Sequence, residues 1–295
     1  MIVQKSMSGR AWAELIVLSI LWGGTFLSVR IALNEIGPLT VVAHRVGWAA
    51  LLLWGVVFLR RLPVPTTRRV IGAFAIMGLL NNIVPFSLQA WSQLYIESGL
   101  TSILNAGTAI WGVLVAALFF KDEKLTLQKS IGVVIGFLGV ATAIGIQTLA
   151  QLDLRSLAQL AVIASTISYA FAAVVARKLL ADVHPIVCAA GMLTASTLLI
   201  IPTAAVIEGQ MTLSLSLDTW LAIGYYTVFA TALAYLLYYR VLAMAGAGNI
   251  TICTLLIAPI AIVLGTVFLN EALPPQAFLG FGILAVGLII LSRRR

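Results

Sequence analysis

The polar side chains that could do chemistry in this sequence lie in the middle of long apolar stretches. Two adjacent amides, Asn81 and Asn82, come first, because an amide in hydrocarbon is costly unless a partner or water satisfies it. Amides both donate and accept hydrogen bonds, which suits the binding of a polar or zwitterionic small molecule. The competing interpretation is that they hydrogen-bond neighbouring helices and hold them together. The sequence leaves both interpretations open.

A proline and several aromatic residues accompany the amides. Pro85 removes a helical hydrogen bond, and the freed carbonyl either binds an ammonium group or simply marks a kink. Aromatic rings at this depth offer a stacking surface and a cation–π contact, unless they are packing bulk. The candidate substrate-binding residues are Trp22, Asn81, Asn82, Pro85, Asn105, Thr108, Trp111, Ser168, Tyr169, Thr231 and Thr254.

Three ionisable residues are candidates for a gating or electrostatic role: Arg45, His44 and Glu14. A charge inside a membrane span is rare and suggests function. Arg45 either steers a carboxylate or ties down a helix end, and the second role is favoured. His44 precedes it, and adjacent helix positions do not share a face. Glu14 lies one turn from Arg10, where a surface ion pair is the simpler interpretation than a coupling carboxylate.

The sequence carries no signature of catalysis. P-loop, HExxH and G-x-S-x-G motifs are absent, so we expect no enzyme, no cofactor and no metal site. Cys188 and Cys253 lie in apolar stretches without metal-ligand spacing and are interpreted as packing residues. A membrane-embedded enzyme, the rival from another class, would need clustered acids or histidines, and His44 and His184 are far apart.

The elements that must position these residues are membrane helices. Hydrophobic residues make up 61% of the 295 residues and charged residues only 9%, against about 25% charged residues in a soluble domain. A span needs about 20 apolar residues. An all-α membrane protein with ten transmembrane helices is therefore predicted, at 12–33, 39–59, 70–94, 98–120, 127–147, 156–178, 185–207, 217–240, 247–269 and 275–292.

The basic residues predict the orientation of these helices. With the N-terminus in the cytoplasm, the opposite side holds only Arg30 and Arg155, while Arg45 lies within a span. The other fifteen of the eighteen basic residues are cytoplasmic: Lys5, Arg10, Arg60, Arg61, Arg68, Arg69, Lys121, Lys124, Lys129, Arg177, Lys178, Arg240, Arg293, Arg294 and Arg295. This asymmetry explains the net charge of +8 by membrane topology rather than by nucleic-acid binding. We expect lipid and a small-molecule substrate as partners.

The two halves of the chain repeat each other. Trp22 and Tyr169, Arg30 and Arg177, and Pro38 and Pro185 are 147 positions apart, while Glu123 and Glu271, Gly132 and Gly280, and Gly139 and Gly287 are 148 apart. Five helices per half is an odd number, so residues 1–150 and 151–295 are predicted to form two five-helix inverted repeats around a central cavity, a design of transporters. Helices 1, 3, 4, 6, 8 and 9 are expected to line the cavity, with helices 2, 5, 7 and 10 around them.

Small residues mark one helix contact. Gly132 and Gly136 form a GxxxG pattern in helix 5, and Gly280 and Gly287 lie on the matching helix 10. Such residues let two helices approach closely. We favour the packing of helix 5 against helix 10 within one molecule, and hence a monomer, over a dimer interface.

Three stretches resemble a known family. LWGGTFLSVRIAL, followed by Pro38 and Arg45, resembles the opening of an EamA domain, and FFKDEKLTLQKSIGVVIGFLGV and FLNEALPPQAFLGFGILAVGL resemble its close. The chain thus resembles the drug/metabolite transporter superfamily, with two EamA-like repeats, and is most similar there to bacterial amino-acid exporters of the YddG type, which handle aromatic amino acids. One departure is Met192, which stands where the repeat would place a second Arg45.

This resemblance implies a secondary transporter of the bacterial inner membrane that exports amino acids, including aromatic ones, or related small metabolites by alternating access. A carrier of drugs, sugars or nucleotide sugars is the alternative, although a strongly anionic substrate should need more basic groups than Arg45. A non-transporting membrane protein is a further alternative, which the repeat disfavours.

Both termini are predicted to be cytoplasmic, because the basic residues divide so unequally between the two sides. Fusions of a fluorescent protein and of alkaline phosphatase to the C-terminus measure this directly. We expect fluorescence from the first fusion and no phosphatase activity from the second. Phosphatase activity at the C-terminus would exclude a ten-helix topology with a cytoplasmic N-terminus.

Overall fold

All regular elements in the described part of the chain are helices. A computed structural model describes residues 8–121, 124–145, 153–245 and 252–292. Its helices are α1 (Gly9–Ala32), α2 (Pro38–Leu59), α3 (Arg68–Ser92), α4 (Ser98–Phe119), α5 (Leu127–Ile144), α6 (Leu154–Leu179), α7 (Pro185–Ile207), α8 (Leu217–Val241), α9 (Ile252–Leu269) and α10 (Pro275–Ser292). The predicted bounds agree to within a few residues. The predicted start of helix 9 and Glu123 lie outside the described residues.

The protein is a multi-pass membrane protein. Helices α1 to α8 are each long and apolar enough to cross a bilayer, and two shorter apolar stretches, Leu256–Leu269 and Pro275–Leu291, follow in α9 and α10. Large apolar side chains point outward, and Phe58, Leu118 and Val206 are each more than 80% exposed. Such a surface requires lipid around it. The count of ten spans stays a prediction, because α9 and α10 are the shorter stretches.

The helices pack in pairs that repeat between the halves. Helix α1 packs against α8 and α9, and α6 packs against α3 and α4. Helix α2 packs against α7 and α8, and α7 packs against α2 and α3. The pairs α5–α10 and α4–α9 complete the bundle. Exchanging each helix with the one five places away turns each of these pairs into itself or into another of them.

Glycines allow α5 and α10 to touch through their backbones. A Cβ atom on Gly139 would lie 2.4 Å from the Leu284 nitrogen, and one on Gly287 would lie 2.6 Å from the Gly136 nitrogen. The helices are antiparallel, since the earlier residue of α5 meets the later residue of α10. The offset of 148 converts the Gly139–Leu284 contact into the Gly136–Gly287 contact. Helices 5 and 10 thus pack within one chain, as predicted from their glycines.

Carboxylates join the two halves at the end of the bundle where α2 and α4 begin. Glu208, at the end of α7, accepts hydrogen bonds from the backbone N–H groups of Leu39 and Thr40, each at 2.8 Å. Glu271, after α9, accepts from the N–H of Ser98 at 2.9 Å and from its hydroxyl at 2.8 Å. Each carboxylate satisfies open donors at a positive helix end in the other half.

Two further carboxylates cap helices outside the spans. Glu35 accepts from the Ser216 hydroxyl at 2.7 Å, and the side chains of Thr219 and Ser216 hold its pKa below the usual value. Asp153 accepts from the Ser156 N–H at 2.8 Å, which lowers the pKa of Asp153 as well. Both groups are therefore charged at neutral pH, at the first turns of α8 and α6, where a negative charge is favoured.

Two neighbouring glycines of α10 allow a matched test of the α5–α10 contact. A Cβ at Gly280 would lie 2.3 Å from the Ala143 nitrogen, whereas a Cβ at Gly282 would meet nothing within 4 Å. Gly280→Ala should destabilise the protein by about 1–3 kcal/mol, as overpacking does. Gly282→Ala should be neutral or slightly stabilising, because alanine is the better helix former.

Thermal unfolding of both variants in the same detergent measures the difference. Equal midpoints for the two variants would contradict the close backbone contact between the helices.

Candidate functional site

Two helices widen into π-helical turns at equivalent points of the two halves. These turns span Gly78–Ile83 in α3 and Tyr225–Leu233 in α8, and their first residues are 147 positions apart. Such turns disturb the regular backbone ladder and recur at functional sites. The hydroxyls of Ser168 and Thr231 each donate to a carbonyl of a π turn at 2.7 Å. Two predicted site residues thus support the irregular backbone.

The amide pair lies on the π turn of α3, and its two members differ in exposure. Asn82 is fully buried; its Nδ2 donates to the Ser196 hydroxyl at 3.0 Å, and its Oδ1 accepts from the Tyr235 hydroxyl at 3.4 Å. Asn81 is half-buried, and its Nδ2 donates to the Tyr235 hydroxyl at 3.3 Å. No described residue donates to the Oδ1 of Asn81. Asn82 therefore joins α3, α7 and α8, while Asn81 keeps an open acceptor.

An aromatic cluster on α8 adjoins the amides. The rings of Tyr235 and Tyr239 are 6.5 Å apart between centroids, and those of Tyr238 and Tyr239 are 5.3 Å apart. Trp22 lies 5.7 Å from Tyr238 and donates from Nε1 to the Ala230 carbonyl at 3.2 Å. The sequence prediction missed the three tyrosines, although their i, i+3 and i+4 spacing indicates one helix face.

Arg45 reaches from α2 to the π turn of α8. Its Nε donates to the Thr231 hydroxyl at 3.0 Å, and its Cζ lies 3.8 Å from the centroid of the Phe86 ring. Arg45 thus belongs to the centre of the bundle. The prediction that helices 2 and 7 only surround the cavity is wrong, since Arg45 of α2 and Ser196 of α7 both take part.

His44 and Glu14 lie apart from Arg45. The Nδ1 of His44 accepts from the Trp48 indole at 3.2 Å, and its ring packs edge-on against Trp220 at 5.9 Å. His44 also lines a groove of about 370 Å³ between α2 and α7, which none of the other predicted site residues lines. Glu14 forms ion pairs with Arg10 and Arg240 and so ties α1 to α8.

A second polar group joins α3, α4 and α6. The Nε2 of Gln89 donates to the Asn105 side-chain oxygen and to the Ser165 hydroxyl, each at 3.0 Å. The Thr108 hydroxyl donates to the Asn105 carbonyl at 2.7 Å, where α4 is interrupted. The sequence prediction did not single out Gln89, because it lies about two turns from mid-span. The hydrogen bond of Asn105 therefore ties α4 to α3, while that of Thr108 stays within α4.

The remaining predicted residues occupy different surroundings. The Trp111 ring packs edge-on against Phe137 of α5 at 5.1 Å, on the α5 side of α4. Tyr169 packs against the core formed by α2, α3 and α7. Pro85 is buried just after the π turn of α3, and Thr254 is half-buried on α9.

The polar and aromatic side chains described above near the two π turns, here called the central group, are suited to binding a small molecule. They are Asn81, Tyr235, Tyr238, Tyr239, Trp22 and Arg45. The central group combines an open amide acceptor on Asn81, three phenols, an indole and one guanidinium, drawn from both halves. In the described ranges, no three His, Cys, Asp or Glu side chains come together in the way a metal ion requires. These groups can hold a ligand by hydrogen bonds, stacking and charge.

Comparison with known proteins finds transporters that are similar along nearly the whole chain. Residues 9–145 and 156–293 each match the EamA-like transporter family. The uncharacterized inner membrane transporter YedA of Escherichia coli (strain K12) is 26% identical over 284 residues, which are 95% of this chain and 90% of YedA. A probable terminal-alkyne amino-acid exporter of Streptantibioticus cattleyicolor is 24% identical, over 98% of this chain and 95% of that protein.

One solved structure supports the fold. It superimposes with a TM-score of 0.70 at 16% identity, covering 98% of this chain and all of the solved one. At that identity the likeness concerns the fold alone. The two matched stretches cover nearly the entire chain. The protein therefore belongs to the EamA-like transporter family and carries two EamA-like repeats.

Proposed function

We propose that this transporter exports amino acids, aromatic ones among them, and related small metabolites across the bacterial inner membrane. The observation that carries this proposal is the hydrogen bond, at 3.3 Å, from Asn81 on the π turn of α3 to Tyr235, just after the π turn of α8, beside Tyr238 and Tyr239. Amide and phenol groups supply donors and acceptors, and the rings supply an apolar surface. An aromatic amino acid offers the complementary groups.

The net charge of the substrate follows from the same surroundings. An amino acid carries one ammonium and one carboxylate, so it brings no net charge into the bundle. Neutral donors and acceptors bind such a zwitterion without the cost of several unpaired buried charges. Among the basic residues in the described ranges, Arg45 is the one well inside a span, which disfavours nucleotide sugars. The relative named as an amino-acid exporter supports the same substrate class.

Alternating access is the mechanism we propose. The packing pairs repeat when each helix is exchanged with its counterpart, and the π turns occupy equivalent places in the two halves. Two related halves with an inverted arrangement can exchange conformations, so that the site opens to one side and then to the other. The caps by Glu208 and Glu271 hold the halves together at one end of the bundle, and opening at that end would have to break them.

Replacing Asn81 by Leu should lower the flux of phenylalanine at least about tenfold, because hydrogen bonds to a charged ligand group contribute about 1.5–3 kcal/mol. Leu is favoured in a span, so the variant should still insert. The measurement is flux per correctly inserted molecule in proteoliposomes. Ile135→Leu, a similar-sized change on α5 away from the central group, is the control and should transport normally.

The buried amide gives a different expected outcome. Asn82→Leu leaves Ser196 without its amide donor and Tyr235 without one of its acceptors, so it should lower thermal stability by about 1–3 kcal/mol as well as flux. If Asn81→Leu and Asn82→Leu both transport like the wild type, the amides only hold helices together. If the wild-type protein moves sugars or drugs but no amino acid, the proposed substrate class is wrong.

A further inference from the structure

Arg45 uses only part of its hydrogen-bonding capacity on the protein. Its Nε is bonded to Thr231, and one face of the guanidinium lies on the Phe86 ring. Within the described ranges, Nη1 and Nη2 have no hydrogen-bond acceptor, and no carboxylate oxygen lies within 4.0 Å of the guanidinium. The planar fork of donors that arginine offers to a carboxylate is therefore open.

The position of Arg45 favours an anionic partner for its guanidinium. Arg45 lies about 10 Å below the first residue of α2, at about 1.5 Å per residue, well inside the span. A buried cation is costly unless it is paired. The other half has Met192 at the equivalent position, whose sulfur lies 3.8 Å from the Asn81 amide nitrogen. The two halves thus place a cation at one side of the central group and a neutral thioether at the other.

The space beside Arg45 limits the kind of anion. A cavity of about 20 Å³ is bounded by Arg45, Thr25, Phe86 and Gln89, among others. Since a water molecule needs about 10–15 Å³ on the same measure, the cavity holds one or two water-sized atoms. The two oxygens of a carboxylate match this space and the two free nitrogens of the fork. A phosphate, with three terminal oxygens, is larger.

We propose that Arg45 is the anchor for the carboxylate of the substrate, which restricts this transporter to molecules with a free carboxylate. Thr231, the partner of Arg45, lies one helical turn from Tyr235, a neighbour of Asn81. One turn brings side chains to about 5–6 Å of each other. In this arrangement the carboxylate of an α-amino acid binds Arg45, and we expect its ammonium group to face the open Oδ1 of Asn81 and the tyrosine rings.

This inference rests on the proposed function and is tested by selectivity rather than by absolute activity. Proteoliposomes loaded with unlabelled phenylalanine take up labelled phenylalanine by counterflow, and the competitors are phenylalanine and phenylalaninol, in which a hydroxymethyl group replaces the carboxylate. The wild-type protein should prefer phenylalanine at least about tenfold. Arg45→Gln should reduce the preference to about one, and Arg45→Lys should keep part of it, because lysine retains the charge without the fork.

Arg30→Gln is the matched control. The Arg30 guanidinium already donates to the Gln93 carbonyl at 2.7 Å, so its loss should leave the preference for phenylalanine unchanged. The proposal that Arg45 binds the substrate carboxylate is refuted if Arg45→Gln keeps the wild-type preference for phenylalanine over phenylalaninol. It is equally refuted if phenylalaninol competes with the wild-type protein's uptake as strongly as phenylalanine does. This second outcome is measured on the wild-type protein alone, so it does not depend on the folding of a variant.

A binding measurement separates this inference from the proposed function. Phenylacetate should raise the thermal unfolding midpoint of the purified wild-type protein and not that of Arg45→Gln, while 2-phenylethanol should raise neither. If phenylalanine is not transported but phenylacetate behaves in this way, the amino-acid substrate is wrong and the carboxylate site stands. If phenylalanine is transported and phenylacetate stabilises both proteins equally or neither, the carboxylate site is wrong and the proposed function stands.

Discussion

Hydrocarbon accepts and donates no hydrogen bonds, so every polar group that this chain places in the bilayer must find its partner within the protein. Helices satisfy most of the backbone, and side chains satisfy much of the rest. Ser19 and Thr197 donate to carbonyls one turn earlier in their own helices, at 2.8 and 2.7 Å. Glu208 and Glu271 accept hydrogen bonds from backbone N–H groups at the starts of α2 and α4, in the opposite half. The two carboxylates thereby fix which helix ends are neighbours.

The same constraint makes the exceptions informative. Two π turns disturb the backbone ladder, and the hydroxyls of Ser168 and Thr231 donate hydrogen bonds to carbonyls of these turns. Both polar side-chain atoms of Asn82 have partners in the protein, whereas Asn81 and Arg45 keep groups that no described residue binds. Because such groups are costly in a low-dielectric interior, they are the groups that we propose a bound substrate satisfies.

The sequence predicts the helices well, since uninterrupted apolar runs bounded by Gly, Pro and basic residues leave little choice of span. It predicts the polar residues at mid-depth but not their directions. Asn81 and Asn82 are adjacent and identical, and since neighbouring helix positions face different directions, the sequence alone does not tell that Asn82 is the buried one. The role of α2 was missed because a single Arg45 among aliphatic residues does not reveal which neighbour it faces. Gln89 was missed because its partners, Asn105 and Ser165, are distant in sequence.

The contact between α5 and α10 has a consequence for the ancestry of the chain. Gly136 contacts Gly287 and Gly139 contacts Leu284, so the two helices use equivalent positions on the two sides of the contact. A single five-helix repeat would therefore pair with a second copy of itself through this surface, and joining two copies in one chain keeps that pairing without a new interface. Once the copies are joined, each diverges alone: position 45 carries a cation, and its counterpart, Met192, a thioether.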